Sequence, residues 1–344
     1  MPLVSILIPA YNQPEHLRQA VESVLAQDYP EIEIIIGDDS TNDGVEKVVE
    51  QFLSKPQKFP IHYYRHDNSK DKHPGVDNSI LLFEKAHGEF VNMLHHDDIF
   101  MPNKVSRMMK IFEKDTDKKI AFVTSNRIVI DDHGNEINRA GIIFESGYEK
   151  DTAVFTSEEL VQMCFKTREN IIGEPSVVMF RKEDLFDPAT GENKFSSYFG
   201  KFYLIHTDLP TWLELCRKKD SFVPFIMEPL TLYRKHAQQN TQNIMLFFNM
   251  LLEWAELLSQ SFLHDTFIHD SKLFQDCCTQ WLNHASSFSE YGAELFSKMD
   301  QLSKQVDDLE LFIKLIEAAE NQDFIKFLQL SLKKKSWDQF QEEI

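Results

Sequence analysis

Two histidines and two aspartates stand side by side in MLHHDDIFMP, residues 93–102. Three chemistries are open to such a cluster: a cation site, an acid/base site, or a polar turn. A four-ligand zinc site is a poor fit, because successive residues of an extended chain point to opposite faces and adjacent side chains do not converge. Two other stretches carry similar chemistry. GDDS (37–40) places paired carboxylates after an apolar run, and HTDLPTWLEL (206–215) opens with an aspartate ahead of an apolar-rich segment. Carboxylates accept hydrogen bonds from N–H groups, bind hard cations and take protons from hydroxyls. Asp38, Asp39 and Ser40 suit a strand-ending turn equally well. Asp208 equally suits the start of a helix, where its charge meets the positive end of the helix dipole.

The elements that must position these groups are legible upstream of each. Leu3–Ile8 is short, apolar and β-branched, so a buried strand is expected before PAYNQP. Pro14 suits a first helical turn with Asn12 or Gln13 as cap, and Leu17, Ala20, Val21, Val24 and Leu25 follow at helical spacing. A second strand is expected at Ile32–Ile36 and a helix over Val45–Leu53. A short strand at His62–Tyr64 and a helix at Ser79–Ala86 follow. A strand at Phe90–Leu94 runs into HHDD, Pro102 opens a helix, and Ile120–Thr124 is a further strand. Strand and helix alternate, which predicts an α/β fold with a mostly parallel sheet flanked by helices. In such sheets ligands gather beyond the carboxyl ends of the strands. PAYN, GDDS and HHDD each follow a predicted strand, so all three are expected on one edge.

Residues 125 to about 240 are more irregular. They hold an expected hairpin around Asp132–Asn135, the segment GEPSVVMF (173–180), a helix from Thr207–Asp208 and the stretch EPLTLYRKH (228–236). Beyond about 240 Gly and Pro nearly vanish, and an all-helical extension of four or five helices is expected over 241–344. Its Leu and Phe stripes read as core. Lys333, Lys334 and Lys335 beside Trp337 suit either a solvated helix end or a peripheral membrane contact.

Composition narrows the function classes. The 344 residues carry a formal net charge of -19, which argues against general nucleic-acid binding. Hydrophobic residues make up 42%, enough to bury a substantial core. The four cysteines form no C-x-x-C pair, which argues against a disulfide framework or a structural zinc site and suits a reducing compartment. No signal peptide is visible and no membrane-spanning helix is expected, so a cytoplasmic protein is the expectation. The place of a dinucleotide-binding G-x-G-x-x-G after the first strand is taken by PAYNQP, which speaks against a dehydrogenase. The Gly-rich, basic phosphate loop of a nucleotidyltransferase is absent there too.

PAYN after the first strand, DDS after the second and DD-x-x-x-P after a later one together resemble family 2 glycosyltransferases of the GT-A fold, in particular bacterial enzymes that build polysaccharide or glycoconjugate chains. The resemblance runs through GEPSVVMFR, TDLPTWLEL and PLTLYRKHAQQNT. It implies a GT-A domain over 1–240, with a nucleotide-sugar half (1–124) and an acceptor half (125–240), and leaves 241–344 uncovered. It further implies that Pro9, Ala10, Tyr11 and Glu15 line the nucleoside pocket, that Asp39 bonds the base and that Asp38 supports the turn. His96, Asp97 and Arg234 join the nucleotide-sugar contacts. Asp97 matches the last aspartate of the family's Asp-x-Asp and Asp98 the residue after it. His95 stands where the first aspartate is usual. Asp97, His95 and His236 are the implied ligands of Mn²⁺ or Mg²⁺. Asp208 is the implied catalytic base of an inverting transfer, and Glu174 and Ser176 face the acceptor. Asp67, Asn68 and Asn78 flank a Lys-rich loop that reads as a flap over the donor or an exposed connection. The implied donor is a nucleotide sugar, most simply UDP-linked, and the acceptor a saccharide, lipid-linked sugar or protein hydroxyl. Peripheral contact at the inner membrane face and self-association through the C-terminal helices stay open. The alternative is a catalytically degenerate sugar-nucleotide-binding module whose helical tail mediates interactions.

Overall fold

The computed structural model describes residues 1–66, 75–140, 151–203, 206–236, 244–270, 272–274 and 276–277. Asp67, Asn68, Cys278 and the Lys333–Trp337 cluster lie outside these, as does most of the expected helical extension. In chain order the first elements are β1 (Val4–Ala10), α1 (Pro14–Leu25), β2 (Ile32–Asp38), α2 (Gly44–Leu53), β3 (Ile61–Arg65), α3 (Val76–Lys85), β4 (Phe90–Met93), β5 (Ile99–Phe100) and α4 (Lys104–Phe112). Then come β6 (Thr124–Ile130), β7 (Glu136–Ala140), β8 (Thr152–Thr156), α5 (Ser157–Thr167) and β9 (Met179–Arg181). Two short ribbons follow, β10 (Phe186–Asp187) with β11 (Glu192–Asn193), and β12 (Ser197–Tyr198) with β13 (Lys201–Phe202). Last are α6 (Asp208–Cys216), β14 (Phe222–Arg234) and α7 (Ile244–Leu263).

The first sheet has the order β3-β2-β1-β4-β9, parallel except for β9. Its central strands are continuous apolar runs because helices cover both faces and no side faces water. On α1, Leu17, Ala20, Val21 and Val24 recur every three or four residues and bury one stripe; on α2, Val45, Val48, Val49 and Phe52 do the same. Both stripes join the core that Val4, Ile6, Ile8, Ile34 and Ile36 form beneath them. Register then fixes the site. Ala10 is paired with Asp38 and Leu7 with Met93, and the Leu94 N–H donates to Leu7 O at 2.8 Å. The carboxyl ends of β1, β2 and β4 therefore stand together, as their motifs predict.

A second sheet of order β5-β14-β6-β7 lies beside the first in the chain's topology. Its long strand β14 is antiparallel to β8 over Phe222–Ile226 and parallel to β6 over Pro229–Arg234. The expected hairpin at 132–135 is the β6–β7 turn, closed by Asp131 N–H to Asn135 O at 2.9 Å.

Three local expectations are corrected. The strand expected at Ile120–Thr124 begins only at Thr124; Ile120 and Val123 make isolated bridges to Phe222 and Met179. That run is apolar because it is buried, not because it forms a ladder. Pro102 does not open a helix; Lys104 does, two residues on. Neither Asn12 nor Gln13 caps α1 with its side chain. Asn12 takes a left-handed φ of 52° instead and turns its side chain toward the loop after β2.

The chain divides into two compact units, Met1–Val161 with Asn170–Leu246, and Gln162–Glu169 with Phe247–Ile344. In the second, Phe165 packs edge-on against Trp254, Phe262 stacks on Phe274, and Gln162 donates to Phe267 O at 2.9 Å. No described helix is long and apolar enough to cross a membrane. Cys164, Cys216 and Cys277 are buried free thiols.

Candidate active site

The loops after β1 and β2 are tied into one platform. The Asn12 N–H donates to Ser40 Oγ at 2.7 Å, and Asn12 Oδ1 accepts from Thr41 N at 3.0 Å and Asn42 Nδ2 at 2.9 Å. Asp38 is fully buried and committed to the platform. Its Oδ1 accepts from Ser40 N at 2.9 Å, and its Oδ2 from the Tyr63 hydroxyl at 2.7 Å and the Arg65 guanidinium at 2.5 Å. Arg65 also donates to Ser40 O and Asn42 O, so β3 clamps the loop from outside. The Asp38 side chain is thus spent on holding the turn. Asp39 sits beside it, and burial raises its carboxyl above the usual range while the Gly75 N–H, 3.1 Å from Oδ2, pulls the other way. A Cβ on Gly37 would lie 2.1 Å from Asn78 Oδ1, and Asn78 Nδ2 donates to Gly37 O at 3.0 Å. Asn78 therefore locks α3 to β2. Pro9 O accepts from His96 Nδ1 at 3.0 Å, and the Asp39 N–H donates to Ala10 O at 3.2 Å, so Pro9 and Ala10 hold the platform through their backbone. Tyr11 stands 46% exposed, open to stack on a ring. Glu15 lies on the exposed side of α1, 3.4 Å from Arg18, and makes no platform contact.

His95, Asp97 and Asp98 bring one ligand atom each to within 4.8 Å of one another. His236 Nε2 lies 3.0 Å from Asp97 Oδ2, and its ring is 5.6 Å from that of His16. The electrostatics favour a cation. Burial pushes the Asp98 carboxyl well up, and the charge of Asp97 adds to the push. Burial also works against the Asp97 carboxylate, but His96, His95 and the His236 hydrogen bond outweigh it and hold Asp97 below its ordinary value. Asp98 Oδ1 accepts the Arg234 N–H at 3.0 Å, while its buried Oδ2 accepts no hydrogen bond of good geometry. One nitrogen and two carboxylates, one of them with a spare buried oxygen, fit a divalent cation of the Mn²⁺ or Mg²⁺ kind. The implied ligand set was His95, Asp97 and His236; the geometry adds Asp98 and keeps His236 on Asp97.

Arg234 departs from its expected part as a counter-charge to diphosphate. It is 1% exposed, and its guanidinium donates to Asp97 O, Asp131 O, Asp132 O and Gln19 Oε1 at 2.8–3.1 Å. Those acceptors occupy its planar fork. Arg234 stitches the HHDD turn to the β6–β7 hairpin and α1.

Asp208, the implied base, is the first residue of α6. Its Oδ1 accepts from Leu209 N and its Oδ2 from Asn170 Nδ2, both at 2.8 Å. One turn later, Trp212 Nε1 donates to Gly173 O at 3.1 Å. The two residues expected to face the acceptor point elsewhere. Ser176 is 1% exposed and its Oγ accepts the His95 N–H at 3.0 Å, so it props the cation group. Glu174 pairs with Arg127 at 2.7 Å. Short polar side chains in a loop read as open to a ligand; here buried donors of neighbouring strands claim them.

Gly173 has φ +106°, and a Cβ there would meet Val177 Cγ2 at 2.5 Å. Gly173→Ala is expected to destabilise the chain by roughly 1–3 kcal/mol through strain alone. Denaturant unfolding with an unchanged midpoint would sink this.

Four residues of the site carried no usable sequence signal: His16, Arg127, Asn170 and Lys104. Lys104 is fully buried, and burial brings its ammonium down to about 7 against the opposing pull of Asp98. The contacts that bring His16, Arg127 and Asn170 into the site reach Asp132, Glu174 and Asp208, tens of residues away, so no local spacing marks them.

Comparison with known proteins gives the following. The family model described as glycosyl transferase family 2 matches residues 5–182. An uncharacterised glycosyltransferase of Rickettsia typhi is 28% identical over 264 residues, 75% of this chain and 71% of that protein. The GalNAc(5)-diNAcBac-PP-undecaprenol beta-1,3-glucosyltransferase of Campylobacter jejuni is 32% identical over 110 residues, 32% of this chain and 34% of the other. Among solved structures, S. aureus TarS 1-349 in complex with UDP-GlcNAc superposes with TM-score 0.58 at 14% identity, covering 95% of this chain and 88% of that one. Against a longer TarS chain the TM-score is 0.55 and the coverage of that chain 50%. At such identities the likeness speaks for the fold alone, which is the GT-A arrangement expected from the motifs.

Proposed function

This chain belongs to glycosyl transferase family 2, and we propose from that premise that it transfers a sugar from a UDP-linked donor to an acceptor hydroxyl with inversion at the anomeric carbon. The observation that carries the proposal is the donor group of His95, Asp97 and Asp98 at the carboxyl edge of β4, beside the Asp39 platform of β2. TarS 1-349, a neighbour of the same fold, was solved with UDP-GlcNAc, which supports the UDP-linked donor. The nucleotide sugar lies across the platform, with Tyr11 against the base and Asp39 accepting its ring N–H. His95, Asp97 and Asp98 would hold a divalent cation, which when bound would supply charge stabilisation to the departing diphosphate. Asp208 takes the proton of the acceptor hydroxyl as its oxygen bonds to the anomeric carbon and the carbon–phosphate-oxygen bond breaks. The diphosphate carries away the bonding pair. Glu174 and Ser176 act through the shape of the 173–176 loop rather than by touching the acceptor. Residues 1–124 form the donor half.

The test is nucleotide release from a panel of sugar nucleotides, with water and simple methyl glycosides as acceptors, in Mn²⁺, Mg²⁺ and EDTA. Release from one donor is expected, abolished by EDTA and restored by metal. Asp97→Ala is expected to lower it roughly a hundredfold or more, since a ligand and the charge it holds are lost together. Release indifferent to EDTA overturns the cation assignment. Failure to turn over any donor with any acceptor, while UDP still binds, favours the non-catalytic binding module.

A further inference from the structure

The side chain that faces Asp208 is itself held in one orientation. Asn170 Oδ1 accepts the Gly173 N–H at 3.2 Å, and Asn170 Nδ2 donates both to Gly173 O at 3.2 Å and to Asp208 Oδ2 at 2.8 Å. An amide can be turned by 180° without changing its shape, so its orientation rests on its partners. Here both ends agree. Turned over, Asn170 would set N–H against the Gly173 N–H and oxygen against both Gly173 O and the Asp208 carboxylate. Gly173 holds φ +106°, where the Cβ of any other residue would collide with Val177. Trp212 fastens the same carbonyl from α6. Asp208 and Trp212 are four residues apart and share a helix face. The 170–173 turn is thus docked on the face that carries Asp208, and it directs one N–H at the carboxylate.

We propose that Asn170 is a positioning residue for Asp208, fixing the carboxylate plane so that a lone pair meets the acceptor hydroxyl. The inference rests on Asp208 being the base. With Leu209 N on Oδ1 and Asn170 on Oδ2, each oxygen has one N–H and one direction left. Losing the Asn170 bond frees the side chain to rotate.

The experiment uses the full chain and the donor that gives the fastest nucleotide release, with water or the best methyl glycoside as acceptor. Asn170→Ala is expected to lower kcat roughly ten- to a hundredfold, the span of one hydrogen bond to a charged group, with the donor KM unchanged. Asn170→Asp keeps the shape and turns the donor into an acceptor, so it is expected to fall further still. The decisive readout is coupling: Asn170→Ala added to Asp208→Ser, which sets no amide against Asn170, is expected to lower the residual rate no further. Additive losses mean that Asn170 merely supports the fold and overturn the proposal, as does an Asn170→Ala enzyme with wild-type kcat. An Asp208→Asn enzyme of near wild-type rate brings down the base assignment, and this inference with it. Loss in Asp208→Asn without loss in either Asn170 variant brings down this inference alone.

Discussion

Asp208→Asn is expected to lower sugar transfer by roughly a hundred- to ten-thousandfold, the range in which a positioned general base contributes, with UDP affinity close to that of the parent. The attacking hydroxyl is a poor nucleophile until its proton is accepted, and the variant amide cannot accept it with useful basicity. The proposed nucleotide site lies on the β1, β2 and β4 edge, and among the described residues no hydrogen bond of that platform involves α6. Both Asp208 oxygens accept an N–H, so an amide there confronts one donor with another. Asp208→Ser removes that conflict and is expected to give a similar loss. Steady-state rates with a calorimetric UDP titration decide the matter. A parallel loss of UDP affinity would mean that the substitution had disturbed the donor half, and a near-normal rate in both variants would refute the assignment.

Arg234→Ala is expected to cost about 3 kcal/mol or more of folding stability, because several buried acceptors lose their donor at once. Its guanidinium satisfies three backbone carbonyls and the Gln19 side chain, and truncation leaves those acceptors without their donor. Asp131 and Asp132 belong to the β6–β7 turn and Asp97 to the cation group, so the loss should loosen both. Lysine offers one compact ammonium in place of a planar fork and cannot reach all four acceptors, so Arg234→Lys should recover only part. Urea unfolding of the three proteins measures this. A residue whose role were to neutralise diphosphate would show the opposite pattern: an unfolding curve like the parent's, and weaker UDP binding.

The parallel half of the fold was legible because its signals are local. Strands buried on both faces read as apolar runs, and the turn chemistry of PAYN, GDDS and HHDD follows each one directly. The convergence of those turns needed only the rule that ligands sit beyond strand carboxyl ends. Asp208 was legible because a helix start announces itself. The failures share one cause. Arg234, Ser176 and Glu174 have the composition of ligand-facing residues, but what engages them is His95, Arg127 or a backbone carbonyl more than forty positions away. Asn170 lies in an irregular stretch, TRENIIG, with no periodicity to lift it out. Ala121 and Phe122 are fully buried without a strand ladder, so burial there mimicked a strand. Asp98 was named as the neighbour of a ligand but not as one, because the resemblance aligns it one position past the last aspartate of the motif. The chain bends into a turn after Leu94 and brings Asp98 beside His95 and Asp97.

The long strand β14 has a consequence for the order in which the molecule can assemble. It joins partners from residues 99–100, 124–130 and 152–156 to a segment that leaves the ribosome only after residue 234, and its last residues carry Arg234 toward His236. Every one of these pairings closes a loop of sixty residues or more, the kind of contact that forms late and slowly. A growing chain can complete β1 to β4 and gather its acidic turns well before then. The lone Asp97 and Asp98 carboxylates of such an intermediate would lack both the arginine that frames them and the histidine that shares their charge. Competence of the proposed cation group is therefore acquired only once β14 has been made and paired, so a chain stopped short of β14 should be neither a weak enzyme nor a partial one.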